Sequence, residues 1–272
     1  MCNKRDYKIL VLDLDGTLTN KKKEITPRTK AALMQAQEKG VRLVLASGRP
    51  TYGIVPLAEE LEMARYGGYI LSYNGGTIIN WETKDVIHAS TLDMDMIAPA
   101  YEMARRHGVE ILSYIGEDII SEDAENKYVQ YESMLTKMKV RKVADFCQAI
   151  KSEVPKCLIV GESDDLVVLE KKMQELYSDR MNIYRSEAFY LELNPPAIDK
   201  ANSLQHLLDH LHLTPQDMIA CGDGYNDLSM ICFAGLGIAM ENAQQAVKEV
   251  ADFITLSNEE DGVAHVVDKY LL

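Results

Sequence analysis

Apolar residues in the first part of the chain fall into short, nearly continuous runs that alternate with amphipathic stretches. The runs lie at residues 8–14, 41–46 and 69–73. Each run is typical of a strand that is covered on both faces. The intervening spacing predicts helices at about 26–39 and 50–64. Strands and helices alternating in this way predict a parallel sheet with helical crossovers.

The pattern changes after residue 76, where a predicted hairpin (77–79 and 86–88) leads into mixed helices and short strands. The parallel pattern returns near Asp199, with strands predicted at 218–221 and 236–239. We therefore predict an α/β fold with a Rossmann-like parallel-sheet core and an inserted α+β cap. The predicted ranges are 1–83 and 190–272 for the discontinuous core and 84–189 for the cap.

Composition and charge narrow the classes of partner. The chain has 272 residues and a net charge of -13, which disfavours nucleic acid and anionic membranes as partners. An anionic substrate would need a locally positive site. Five cysteines without a CxxC pair favour neither a disulfide framework nor a zinc knuckle. With neither a signal peptide nor a long apolar span in view, we expect a cytoplasmic protein that is a monomer or a weak homo-oligomer.

Two carboxylates follow the first predicted strand, in the run Asp13-Leu14-Asp15-Gly16-Thr17. Ligands bind beyond the carboxyl ends of strands in open α/β sheets. Asp13 and Asp15 repel each other unless a counter-charge is present, and Mg²⁺ prefers oxygen ligands. Gly16 allows the backbone to turn close to a ligand. The alternative interpretation is a solvated turn after a strand.

Two further elements suit an anionic ligand. Ser47-Gly48-Arg49 follows the second strand, where a hydroxyl, a glycine amide and a helix start resemble a phosphate cradle. Lys200 lies in the first turn of a predicted helix, an unfavourable place for a cation unless an anion is near. Taken alone, each of these elements is weak evidence, since a loop or a solvated lysine explains it equally well.

A second acidic run, Gly222-Asp223-Gly224-Tyr225-Asn226-Asp227, follows the strand predicted at 218–221. Asp223 and Asp227 are four residues apart, so one helical turn brings them to the same side. Asp223 is also a plausible plain helix cap. The ordered combination of all four elements is far more specific than any one of them.

These four motifs in this order resemble the haloacid dehalogenase superfamily, and the sequence is most similar to its Cof-type (subfamily IIB) sugar phosphatases. The similarity extends to Tyr73-Asn74-Gly75 before the cap and to 239–243 and 261–264 near the C-terminus. One departure is Ala201, where such proteins usually have glycine after the motif lysine. The resemblance implies a Mg²⁺-dependent phosphatase that acts on a small phosphorylated metabolite.

The resemblance also implies roles for individual residues. Asp13 would be the nucleophile, Asp15 the general acid and base, and Lys200 the balancing cation. The implied metal ligands are Asp13, the backbone carbonyl of Asp15, Asp223 and Asp227. The implied phosphate contacts are Gly16, Thr17, Ser47, Gly48 and Asn226. Arg49 would touch substrate or cap. Apart from the resemblance, three tyrosines are candidates for a sugar pocket in the cap, although residue type favours the cap core or surface for each: Tyr114, Tyr128 and Tyr131.

Two other functions stay open at this point. A phosphotransferase or mutase acting on sugar phosphates would use the same catalytic residues, with a sugar hydroxyl in place of water. A phosphometabolite-binding protein without catalysis is a different class, which the intact Asp13, Asp15, Lys200 and Asp223 disfavour.

The implied role of Asp15 as an acid carries an expectation of its own. Asp15 must be protonated when the alcohol leaves, which requires either a raised pKa or a well-timed hydrogen bond.

Overall fold

The computed structural model describes residues 6–196 and 198–272. Residues 1–5 and Ala197, which the predicted domain ranges include, lie outside the described residues. The strands are β1 (Ile9–Leu12), β2 (Arg42–Ala46), β3 (Tyr69–Ser72), β4 (Thr77–Asn80), β5 (Val86–Ala89), β6 (Glu110–Ile115), β7 (Asp118–Ser121), β8 (Lys139–Lys142), β9 (Cys157–Val160), β10 (Asn182–Glu187), β11 (Tyr190–Asn194), β12 (Met218–Gly222), β13 (Leu236–Ala239) and β14 (Phe253–Ile254).

The α-helices are joined in several places by short 3-10 turns. They are α1 (Pro27–Glu38), α2 (Val55–Glu60), α3 (Ile97–Arg106), α4 (Lys127–Thr136), α5 (Phe146–Ala149), α6 (Ser163–Tyr177), α7 (Lys200–Leu211), α8 (Leu228–Phe233), α9 (Gln245–Val250) and α10 (Gly262–Tyr270). No helix in the described part of the chain has the length and apolar character that crossing a membrane requires.

The chain forms two compact units, one discontinuous and one inserted. The first comprises the residues up to His88 together with Asp199–Leu272, and the second comprises Ala89–Ile198. Both boundaries fall later in the chain than the predicted ranges 1–83, 84–189 and 190–272. The second boundary lies after residue 198 and not after residue 189, because β11 pairs with β9 and residues 190–194 therefore belong to the sheet of the second unit.

The first unit is built on a sheet of eight described strands in the order β14-β13-β12-β1-β2-β3-β4-β5. β1 pairs in parallel with β2 on one side and with β12 on the other. Every residue of β1 is fully buried, as expected for a strand between two layers of helices. The carboxyl ends of β12, β1 and β2 therefore lie side by side, and the loops that follow them meet.

The second unit has its own sheet, in the order β10-β11-β9-β6-β7-β8, and its own hydrophobic core. Apolar residues of α3 and α6 pack on one face of this sheet. Successive side chains along a strand point to opposite faces of the sheet. Tyr114 on β6 and Glu192 on β11 lie on the face opposite these helices, and both are buried. The predicted α/β architecture, with a parallel-sheet core and an inserted unit of helices and strands, is confirmed.

Candidate active site

The candidate site is built around Lys200, the first residue of α7, whose side chain is fully buried. Its ammonium donates to Asp13 Oδ1 at 2.7 Å, to Asp227 Oδ1 at 2.6 Å and to the carbonyl oxygen of Ala46 at 2.9 Å. Three acceptors match the three donors of an ammonium group. Burial opposes the charged form, but the carboxylates of Asp13 and Asp227 outweigh it and raise the pKa of Lys200.

Three carboxylates converge beside this lysine. Asp13, Asp223 and Asp227 each place a carboxylate oxygen within 4.8 Å of the others. Burial, followed by the charge of Asp227, raises the pKa of Asp13 and raises that of Asp223 to about 6. One ammonium does not balance three carboxylates. An all-oxygen set with surplus negative charge fits a hard divalent cation such as Mg²⁺.

The turn after β1 places Asp223 against the backbone of Gly16. Gly16 has a φ of +91°, and a Cβ there would overlap the Asp223 carboxylate, so only glycine allows this approach. Thr17 donates its hydroxyl proton to Asp223 Oδ1 at 2.9 Å. This bond orients the Asp223 carboxylate, and the phosphate contact that the resemblance implies for Thr17 stays a prediction. Asn242, which sequence reasoning missed, donates to the Gly16 carbonyl at 2.8 Å.

Asp227 organises the loop after β12. Its Oδ2 accepts hydrogen bonds from the backbone N–H groups of Asp223 and Gly224, both at 2.9 Å, while its Oδ1 accepts from Lys200. The side chain is fully buried. Asp227 thus has both oxygens engaged by the protein, whereas Asp223 accepts from Thr17 and is more open. Of the two, Asp223 is the better placed to offer an oxygen to a metal.

Asp15 lies in a different environment from Asp13. Arg49 donates from Nε to Asp15 Oδ2 at 2.8 Å and from Nη2 to Oδ1 at 2.6 Å, and Lys23 donates to Oδ1 at 2.6 Å. Burial favours a higher pKa for Asp15, but the hydrogen bonds and charges of Arg49 and Lys23 outweigh it and lower the pKa. A raised pKa was one of two expectations for Asp15, and it is wrong for this arrangement because two cations contact the carboxylate.

The loop after β2 presents Ser47 and Gly48 next to a turn that the sequence-based list of site residues omitted. Ser47 is buried, and its Oγ accepts from the backbone N–H of Arg49 at 3.1 Å. Asn226 donates from Nδ2 to Oδ1 of Asn74 at 3.0 Å. Asn74 carried a signal in the sequence, since the run Tyr73-Asn74-Gly75 directly follows an apolar strand.

The tyrosines suggested for a sugar pocket all lie in the second unit. Tyr114 is buried and donates its hydroxyl proton to Glu132 at 2.7 Å. Tyr128 stacks on Phe189 with ring centroids 5.2 Å apart, and Tyr131 meets the same ring edge-on at 5.7 Å. Tyr114 therefore belongs to a buried polar cluster, whereas Tyr128 and Tyr131 form an aromatic group around Phe189.

Residues 10–267 match the family model of haloacid dehalogenase-like hydrolases. The chain belongs to this family. A haloacid dehalogenase-like hydrolase from Bacteroides thetaiotaomicron is 52% identical, with a TM-score of 0.94 over 97% of this chain and 99% of that one. The family and the hydrolase class predicted from the motifs are thus confirmed.

Two relatives of this haloacid dehalogenase-like chain match it along nearly its full length. The protein M6_Spy0533 of Streptococcus pyogenes serotype M6 is 31% identical over 97% of this chain and 98% of its own length. The 5-amino-6-(5-phospho-D-ribitylamino)uracil phosphatase YcsE of Bacillus subtilis is 28% identical over 98% of this chain and 97% of its own. The similarity thus covers both units of the chain.

Proposed function

We propose that this haloacid dehalogenase-like hydrolase is a Mg²⁺-dependent phosphatase of small phosphorylated metabolites, with sugar phosphates as the favoured class. The observation that carries the proposal is the buried ion pair between Lys200 and Asp13 at 2.7 Å, at the carboxyl end of a central strand. A carboxylate held this way next to surplus negative charge has no evident structural purpose, whereas nucleophilic attack on phosphorus requires it. The name of YcsE, a phosphatase of a phosphorylated ribityl compound, supports the same class of substrate.

In the first step, a carboxylate oxygen of Asp13 forms a bond to phosphorus while the bond from phosphorus to the leaving oxygen breaks. Lys200 orients the Asp13 carboxylate and reduces its repulsion towards the phosphate. Ser47, Gly48 and Asn226 supply donors to the phosphate oxygens. The leaving oxygen takes a proton from Asp15, whose lowered pKa makes the protonated form less populated but a stronger acid, so that the products are an alcohol and an aspartyl phosphate.

In the second step, water attacks phosphorus and gives a proton to Asp15, and the bond between phosphorus and Asp13 breaks. Arg49 and Lys23 hold the Asp15 carboxylate and favour its ionised form, which suits the acceptance of that proton. Inorganic phosphate leaves, and the Asp13 carboxylate is restored for another cycle.

Asp13, Asp223 and the backbone carbonyl of Asp15 would hold Mg²⁺, with Asp227 beside them. When bound, the ion supplies positive charge that binds the phosphate and stabilises the charge of the transition state. The fit rests on the convergence of oxygen ligands and on the raised pKa values of Asp13 and Asp223, because both indicate surplus negative charge that a cation would relieve.

We further propose that the second unit recognises the part of the substrate that leaves as the alcohol. The buried polar side chains of this unit support this role. Lys156 donates to Glu192 at 2.8 Å, Tyr114 donates to Glu132, and within the described residues the buried carboxamide of Asn194 has no hydrogen-bond partner. A buried carboxamide with spare donors and an acceptor suits a ligand rich in hydroxyl groups.

The test is phosphate release from a panel of phosphorylated sugars, polyols and cofactors, with Mg²⁺ and with excess chelator. We expect release that depends on Mg²⁺ in the parent protein and is abolished by Asp13→Asn. Asp85→Asn is the matched control, because Asp85 is an exposed carboxylate in the same unit.

Equal activity in chelator would contradict the metal dependence, and full activity of Asp13→Asn would contradict the nucleophile. If no compound releases phosphate but an added sugar accepts the phosphoryl group, the protein is a phosphotransferase. The ranking of substrates in Asn194→Leu tests the second unit: an unchanged ranking would contradict its proposed part in recognition.

A further inference from the structure

A three-residue turn after β3, Tyr73–Gly75, connects the loops that carry the candidate catalytic residues. The N–H of Tyr73 donates to the carbonyl of Arg49 at 3.0 Å, and the N–H of Asn74 donates to the carbonyl of Ser47 at 2.9 Å. The Gly75 carbonyl accepts from Ser203 on α7 at 2.8 Å. Ser203 lies one helical turn after Lys200. This turn therefore bonds to the loop after β2 and to the helix of the catalytic lysine.

The side chain of Asn74 makes the third connection, to the loop after β12. Asn74 is buried, and its Oδ1 accepts from Nδ2 of Asn226 at 3.0 Å. A Cβ on Gly48 would lie 3.1 Å from Asn74 Nδ2 and 3.2 Å from Oδ1. The carboxamide thus lies against the Gly48 backbone on one side and Asn226 on the other. The two contacts are to residues that the proposed mechanism assigns to the phosphate.

The backbone of the turn is held in an unfavourable conformation. Tyr73 and Asn74 have φ values of 54° and 55°, in the left-handed region that residues other than glycine rarely adopt. Asparagine tolerates this region better than most residues, but tyrosine does not. Two consecutive strained residues persist only where the surrounding structure fixes them, and such strain concentrates at functional sites.

We infer that Asn74 is a positioning residue for phosphate binding, and this inference rests on the proposed function. Its Oδ1 fixes the rotamer of Asn226 by accepting one of the two Nδ2 protons, which leaves the other for a phosphate oxygen. Its contact with the Gly48 backbone fixes the position of the Ser47–Arg49 loop relative to the phosphate. Asn74 acts through these neighbours and takes no part in bond making.

The decisive variant is Asn74→Gly, because glycine keeps the left-handed backbone and removes only the carboxamide. His212→Gly is the matched control: His212 follows the last residue of α7 with a φ of 55°, at the opposite end of this helix from Lys200. In the full-length Mg²⁺-loaded protein, we expect Asn74→Gly to lower kcat/KM by about 10- to 100-fold, as for other misplaced binding groups. His212→Gly should leave kcat/KM unchanged, and both variants should unfold near the temperature of the parent.

Coupling to Asn226 separates positioning from a structural role. If Asn74 acts through Asn226, Asn74→Gly should have much less effect on kcat/KM in an Asn226→Ala background than in the parent. Full additivity of the two losses would overturn the positioning of Asn226 by Asn74, which is the hydrogen-bonded part of the inference. Equal activity of Asn74→Gly and the parent would also overturn it.

Orthovanadate binding, measured by calorimetry with Mg²⁺, gives a readout that does not need turnover. We expect its affinity for Asn74→Gly to fall in parallel with kcat/KM. A parent that binds vanadate but hydrolyses no compound would refute the proposed function, while the vanadate affinities of the variants still decide the role of Asn74. A parent that shows neither vanadate binding nor hydrolysis would refute both.

Discussion

At the scale of single residues, the site is organised by charge balance around one buried cation. Lys200 lies between Asp13 and Asp227, and all three side chains are buried. Each charge depends on the others, because an unpaired buried charge is costly. This arrangement explains why a lysine can begin a helix, a place where the helix dipole disfavours a cation.

Removing this cation should therefore damage the fold as well as the activity. We expect Lys200→Met to abolish phosphate release and to lower the free energy of unfolding by about 3–5 kcal/mol, as when one partner of a buried ion pair is lost. Urea unfolding of the metal-free protein measures this. The control is Lys30→Met, since the exposed pair of Lys30 with Glu60 should contribute less than about 1 kcal/mol. A loss for Lys200→Met as small as the control's would contradict the charge-balance account.

A buried acid in the second unit gives a prediction about pH. Burial raises the pKa of Glu132, and the opposing effects of Lys156 and Tyr114 are smaller. A raised folded-state pKa means that the fold favours protonated Glu132, so its contribution to stability is present at low pH and is lost as pH rises through that pKa. We expect Glu132→Gln to raise the melting temperature at pH 8 and to leave it nearly unchanged near pH 4.

Differential scanning calorimetry across this range measures the difference. The exposed Glu125→Gln serves as its control, because Glu125 lies in the same unit and should change little at either pH. A lower melting temperature for Glu132→Gln at pH 8 would show that the ionised carboxylate stabilises this unit.

The sequence predicted the site residues that occur in spaced motifs and missed those that act through contacts. Asp13, Lys200 and Asp223 lie together as the strand pattern implied. Lys23 and Asn74 were missed as members of the site. Their roles depend on contacts that form only after a turn brings the side chain close to the site in three dimensions. The spacing of residues along a strand or helix carries no information about such contacts.

At the scale of elements, the first turn of α7 positions Lys200. Asp199 is the N-cap residue, and its side chain accepts from the backbone N–H of Asn202 at 2.8 Å. This bond fixes the start of the helix and hence the origin of the Lys200 side chain.

Replacing the cap should loosen this start. We expect Asp199→Ala to lower the free energy of unfolding by about 1 kcal/mol, the usual cost of a lost N-cap, and Asp199→Ser to restore most of it. Urea unfolding measures the stabilities, and kcat should fall in Asp199→Ala and recover in Asp199→Ser. Equal stability of Asp199→Ala and the parent would mean that the helix start is fixed by other contacts.

Buried strands were easier to predict than edge strands. Helices cover both faces of the first sheet, and its central strands therefore have nearly continuous apolar sequences, as in β1, β2 and β12. β8, with the sequence KVRK, lies at the edge of the second sheet and is mostly exposed, so its sequence shows no apolar run. The predicted helix at 50–64 is shorter in the structure, where a 3-10 turn precedes α2 at Val55–Glu60.

At the scale of the whole molecule, the inserted unit is continuous in sequence and has a complete sheet and core of its own. We expect residues 89–198 expressed alone to fold, with a cooperative thermal transition in circular dichroism. Residues 1–88 alone should not fold, because β1 would lack its neighbour β12. A folded 1–88 fragment, or an inserted unit without a cooperative transition, would contradict this division.

The late arrival of β12 has a consequence for the chain while it is being made. Roughly 200 residues separate β1 from β12, and at about 5–20 residues per second a ribosome needs on the order of 10–40 seconds to supply them. During that interval the edge of β1 that later pairs with β12 has no strand beside it and is open to aggregation. The inserted unit, which precedes β12 in the chain, would have emerged and could fold before the candidate site is complete.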